Sequence, residues 1–152
     1  MKIGELATRT GCAVETIRYY EREGLLPEPA RSSGNYRLYG EAHAERLGFI
    51  RHCRALDMTL GEIRTLLECH DHPEQPCGEV NALIDAHLDH VASRIVQLQT
   101  LKLALVRLRQ RCNGESAASE CGILSELARP LAAGELQDGE PGVHVPGSHR
   151  GL

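Results

Sequence analysis

An apolar stripe between residues 81 and 111 limits the fold more than any other feature. Ile84, Leu88, Val91, Ile95 and Leu98 recur at intervals of four and three, which is the seam of a heptad repeat. At Lys102 the strict register fails, and the stripe continues one step round the helix as Leu101, Leu105 and Leu108. As one helix, Asn81–Arg111 would run roughly 46 Å at 1.5 Å per residue. A helix that long cannot bury its stripe against a short neighbouring domain. The spacing therefore predicts a dimerisation helix over 81–111, packed on the same helix of a second chain.

The segments on either side follow from where this helix must stop. Residues 71–80 contain Pro73 and Pro76, so a hinge carrying Cys77 is expected there, not regular helix. Asn113-Gly114 ends the long helix, and Gly122–Ala128 suits one or two further turns, giving a loop and short helix over 112–128. From Arg129 to the end, three prolines and five glycines predict a flexible tail, 129–152.

Residues 1–70 read as short helices with a hairpin. Ile3–Thr8 is one helix, Gly11 turns the chain, and Val14–Glu23 is a second helix closed by Gly24. This is a helix-turn-helix pattern. Gly34-Asn35, between Arg31 and Tyr36-Arg37-Leu38-Tyr39, reads as a hairpin turn. Glu41–Leu56 is a third helix, and Thr59-Leu60-Gly61-Glu62 is a capping box opening a fourth. The expected architecture is mainly α. It has a winged helix-turn-helix head (1–70), a long antiparallel coiled-coil helix and a C-terminal metal-binding loop.

Charge and composition sharpen this division. With 41% hydrophobic and 25% charged residues, the chain should be a soluble globular protein. No apolar run reaches the length of a membrane span, so no membrane partner is expected. Met1–Glu5 lacks the apolar core of a signal peptide, which makes a cytoplasmic location the default. The net charge of −4 weighs against nucleic acid until it is placed. Residues 1–70 hold ten Lys/Arg against ten Asp/Glu, and residues 71–152 hold seven against eleven. The whole deficit thus belongs to the back of the chain, while all five aromatics fall in the first 49 residues.

In the front, Arg18 stands beside Tyr19 and Tyr20, and Arg31, Tyr36, Arg37 and Tyr39 cluster in the wing. Arginine reads guanine edges or clamps phosphate, and tyrosine hydroxyls fix register on a duplex. The competing reading is a solvated helix face with tyrosines in a small core. In the back, Cys112 and Cys121 bracket a polar loop that offers little core to hide a thiol. Two thiolates at that spacing can close on one soft metal. Cys77 lies before the long helix and Cys112 after it, so in one chain the helix holds them roughly 45 Å apart. They meet only if two helices pair antiparallel. That predicts a composite metal site, with Cys77 from one subunit and Cys112 and Cys121 from the other. Cys12 and Cys53 are expected in the core of the head.

Gly4-Glu5-Leu6-Ala7, Val14-Glu15-Thr16-Ile17-Arg18-Tyr19-Tyr20-Glu21, Gly24-Leu25-Leu26-Pro27 and Asn35-Tyr36-Arg37-Leu38-Tyr39 resemble the head of MerR-family transcription regulators. The resemblance continues through Asp57-Met58-Thr59-Leu60 and the long helix, to about residue 127. It implies a homodimer on double-stranded promoter DNA that works with sigma-bound RNA polymerase. It also implies recognition-helix contacts at Arg18, Tyr19 and Tyr20, and wing contacts at Arg31, Tyr36, Arg37 and Tyr39. It implies further that metal-free protein represses and that the metal-bound form distorts the promoter and activates it.

Cys77-Gly78, Arg111-Cys112-Asn113 and Cys121-Gly122-Ile123-Leu124 resemble the cadmium/lead-responsive branch, CadR and PbrR. Cuprous sensors of the family lack a cysteine at the position of Cys77. Two thiolates suit a monovalent ion, whereas three suit a divalent one: Cd²⁺ or Pb²⁺ first, with Hg²⁺ and Zn²⁺ as rivals. The same resemblance adds Glu62 as a candidate fourth ligand, against its place in the capping box. It also adds an auxiliary site from His87 and His90 on the long helix with His144 and His149 in the tail. Cys69-His70-Asp71-His72 is metal-like in composition and equally a solvated helix end. The rival functions are an organic-ligand or redox sensor with the same head, and a metal-buffering thiol protein. No aromatic pocket serves the former in the back half, and no four-cysteine cluster suits iron–sulfur sensing. No enzyme activity is expected.

Overall fold

Glycines and prolines set the ends of the helices in this computed structural model, which describes residues 1–131. These residues form two units, Met1–Leu83 and a second beginning at Ile84. In the first, α1 (Ile3–Thr10) runs two residues further than the sequence suggests. It stops at Gly11, whose φ of 66° is left-handed. The Arg51 guanidinium lies against Gly11 and donates to the Thr10 carbonyl. Helix α2 (Val14–Arg22) puts Ile17 and Tyr20 one turn apart on its buried side. Strands β1 (Ala30–Arg31) and β2 (Arg37–Leu38) pair antiparallel, with Ala30 opposite Leu38 and Arg31 opposite Arg37. Asn35 takes the left-handed conformation in the intervening turn, at φ 63°. The expected wing is therefore present.

Helix α3 (Glu41–Ala55) and helix α4 (Leu60–Asp71) complete the head. Asp57 breaks the path between them with a φ of 65°. Thr59 then caps α4, its Oγ1 accepting the Glu62 N–H at 3.2 Å. Leu6, Ile17, Leu25, Leu47, Ile50 and Ile63 are almost fully buried together. Each stabilises the head by about 1.5–3 kcal/mol relative to exposure. Cys12 and Cys53 are buried in the same core, where burial pushes both thiols up.

Helix α5 is continuous from Gly78 to Arg109, 32 residues, which is about 48 Å of helix. It begins three residues before the expected Asn81, and the non-helical hinge shortens to 72–77. The reason is local. Pro76 lies ahead of the first turn, where its missing N–H costs nothing. Cys77 then serves as the cap, its carbonyl accepting the Asn81 N–H at 3.1 Å. The helix ends two residues early, because the Arg111 N–H reaches only to Leu108. No residue of α5 is buried in the single chain; Leu88, Ile95 and Leu105 are 60, 51 and 56% exposed. A 3₁₀ turn (Ala118–Glu120) and α6 (Gly122–Ala128) follow. No described helix is long and apolar enough to cross a membrane. His144, His149 and all but the first residues of the tail lie outside the described residues.

Candidate functional site

Cys112 and Cys121 flank one loop. The Cys112 side chain is near enough to act on the Cys121 thiol, although eight residues separate them. Several contacts close this loop. The Arg109 guanidinium donates to the Cys112 carbonyl at 2.8 Å. Asn113 Oδ1 accepts the Glu115 N–H at 3.0 Å, and Gly114 turns the chain with a φ of 83°. Gly122 lies directly against the Arg111 carbonyl, leaving no room for a Cβ. Arg111 also pairs with Glu126 of α6 at 3.3 Å.

The Cys121 thiol is held below its usual range. The main cause is the Leu124 N–H, followed by the Cys112 side chain and the Ile123 N–H. Two soft donors on one loop, one of them biased to thiolate, fit a soft metal ion. Cys77 is exposed and lies in the first unit, whereas the Cys112–Cys121 pair lies in the second.

The auxiliary candidates are placed as follows. Glu62 is in the first turn of α4, half-buried, with its backbone N–H spent on Thr59. His87 and His90 share one face of α5, one turn apart. Cys69, His70 and His72 turn to different neighbours. Cys69 donates to Glu79 at 3.9 Å, and burial followed by Glu79 pushes its thiol up, away from the thiolate. His70 packs on Phe49 with ring centres 5.2 Å apart, and His72 faces the Glu68 carbonyl at 2.9 Å.

On the head, the expected nucleic-acid residues divide into two groups. Arg18, Tyr19, Arg31, Tyr36 and Arg37 are exposed. Tyr20 and Tyr39 are not: they are 6 and 3% exposed and belong to the core. Their burial favours the competing reading, in which these two tyrosines serve the small core of the head. Tyr39 has a different task. Its hydroxyl donates to Glu21, and burial together with that bond pushes its pKa up to about 12. Arg31 is oriented at the wing tip by Asn35, whose carbonyl and Oδ1 accept at 3.2 and 3.3 Å.

A groove of about 240 Å³ is lined by Lys2, Ile3, Arg18, Asn35, Tyr36 and Arg37. Its three cations come from the chain start, α2 and the wing, and no acid lines it. Lys2 was not legible as a contact. It arrives there because the Met1 amino group donates to the Tyr39 carbonyl at 2.7 Å and the Tyr39 N–H donates back at 2.8 Å. Its Nζ lies 6.0 Å from the centre of the Tyr36 ring. Positive side chains converging from three elements, with an aromatic between them, suit a phosphodiester backbone.

Comparison with known proteins identifies the family. Residues 1–69 match the MerR HTH family regulatory protein model, and residues 44–108 match the model described as MerR, DNA binding. The solved transcription regulator PbrR691 from Ralstonia metallidurans CH34, in complex with lead(II), is 56% identical. It superposes with a TM-score of 0.77 over 84% of this chain and 98% of that one. The HTH-type transcriptional regulator ZntR homolog of Haemophilus influenzae is 50% identical over 111 residues, 73% of this chain and 82% of its own. A mercuric resistance operon regulatory protein of Bacillus cereus is 37% identical over 128 residues, 84% of this chain and 97% of its own. With a winged helix-turn-helix head, a long following helix and relatives named as regulators, the chain belongs to the MerR family of helix-turn-helix regulatory proteins.

Proposed function

We propose that this regulator binds promoter DNA as a homodimer, represses without metal and activates by distorting the promoter when a divalent soft metal binds. The observation that carries the metal reading is the closed loop with Cys112 and Cys121 at its two ends. Cys77 of a second copy would complete a three-thiolate set, with Cd²⁺ or Pb²⁺ preferred. Lead is favoured by the 56% identity to the lead-bound regulator; the mercuric-resistance relatives keep Hg²⁺ as the second reading. Dimerisation is supported by the exposed seam of α5, since a helix of 32 residues cannot bring its own two ends together.

Two-state behaviour is assigned to α5 and the Asp57–Leu60 junction. A metal that binds the activating arrangement more tightly shifts the pair toward it, and a bent, undertwisted promoter is the readout. The experiment is a promoter-reporter panel over Cd²⁺, Pb²⁺, Zn²⁺, Hg²⁺ and Cu⁺. Induction by Pb²⁺ or Cd²⁺, lost in Cys112→Ser, is expected. Induction by an organic compound, or by Cu⁺ alone, would overturn the proposal.

A further inference from the structure

The head carries an acid where a DNA-binding face should least want one. Glu21 sits at the end of α2, next to the wing, and its side chain is only 13% exposed. Close to phosphate, a carboxylate repels the duplex and lowers affinity. Its contacts suggest why it is there. One oxygen, Oε1, accepts from the Tyr39 hydroxyl in the core. The other, Oε2, stands 3.5 Å from Arg37 Nε. Tyr39 is itself fixed, by the Met1 pairing on its backbone and by the edge of His43 against its ring at 5.3 Å. The carboxylate is thus anchored from below and pairs with Arg37 on its Nε side.

We propose that Glu21 is a positioning residue for DNA binding: it links α2 to the wing and aims the free fork of Arg37 at the backbone. A guanidinium can serve two anions at once, because its Nε edge and its terminal fork are separate. Lysine has no such division. The inference rests on the DNA-binding reading above, and it predicts a sign opposite to plain electrostatics. Removing the acid should weaken binding, because the arginine loses its aim.

The test is fluorescence anisotropy on the protein's own promoter duplex over a range of KCl, with full-length dimer. Glu21→Gln keeps an acceptor for Tyr39 and removes the charge at Arg37. It is expected to lose roughly tenfold in affinity and to flatten the salt slope as Arg37→Ala does. In an Arg37→Ala background the same change should have no further effect. Arg37→Lys, at an exposed position that carries no folding risk, should lose nearly as much as Arg37→Ala. Tighter binding by Glu21→Gln, an undiminished loss in the Arg37→Ala background, or wild-type affinity in Arg37→Lys would each overturn the inference. If Arg37→Ala loses affinity while Glu21→Gln does not, the DNA-binding reading stands and only the positioning role fails. If the unaltered protein does not bind its promoter, both fall.

Discussion

The Gly122 backbone rests against the carbonyl of Arg111, so closely that any Cβ at 122 would overlap it. This contact brings the residue after Cys121 beside the residue before Cys112, and so closes the loop that carries the two thiols. Gly122→Ala should force the loop open. We expect metal affinity to fall by about tenfold or more, which is about 1.4 kcal/mol. The thermal stability of the head, read by circular dichroism, should be unchanged. Competition with a chromophoric chelator measures the first quantity, and unchanged affinity would show that the closure is irrelevant to the site.

Lys2 should behave as a phosphate contact and not as a sequence reader. Lys2→Ala is expected to weaken binding equally on the promoter and on unrelated duplexes. Because a dimer carries two copies, the slope of log K against log salt should fall by roughly 1.8. A loss confined to the promoter would move Lys2 to a different role.

The tyrosines should separate in denaturation. Tyr20 is buried and Tyr36 is 68% exposed. Tyr20→Ala should cost about 3 kcal/mol or more in urea unfolding. Tyr36→Ala should stay within about 0.5 kcal/mol while still weakening DNA binding. Equal destabilisation by the two would contradict the division of the head into core and contact side chains.

An acid-sensitive tie joins α3 to the end of α4. Arg46 donates to both oxygens of Asp71, at 2.8 and 3.0 Å, and holds its carboxyl below the usual range. A depressed folded-state pKa contributes stability at neutral pH that is lost as pH falls through the folded value. Asp71 is 42% exposed, so solvent screening limits the contribution to at most about 1 kcal/mol. Asp71→Asn should therefore lower stability at pH 7 and leave it unchanged near pH 2. A loss of the same size at both pH values would point to packing instead of charge.

Local pattern made much of this molecule legible. The seam from Ile84 to Leu108 needs only the period of a helix, and Thr59 needs only its place before Leu60. What escaped depends on contacts distant in the chain or on a choice between identical residues. Tyr19 and Tyr20 are adjacent, and only the packing of α2 decides that Tyr20 goes inward. Lys2 reaches the wing through a pairing of Met1 with Tyr39, 38 positions away. Pro76 predicts a break that reaches residue 80, yet a proline just ahead of a helix is compatible with a first turn at Gly78. The close approach of Gly122 to Arg111 has no periodic signature at all.

The proposed metal site needs two chains. Differently tagged subunits, one carrying Cys77→Ser and the other Cys112→Ser with Cys121→Ser, can be co-expressed and the mixed dimer isolated. Each homodimer of these variants lacks a complete site. The mixed dimer retains one unaltered Cys77 opposite one unaltered Cys112–Cys121 loop. Titration with Pb²⁺, followed by thiolate-to-metal charge-transfer absorption, should show one tight ion per mixed dimer and none in either homodimer. A mixed dimer without a tight ion would contradict the cross-subunit site, and so would a Cys77→Ser homodimer that binds two.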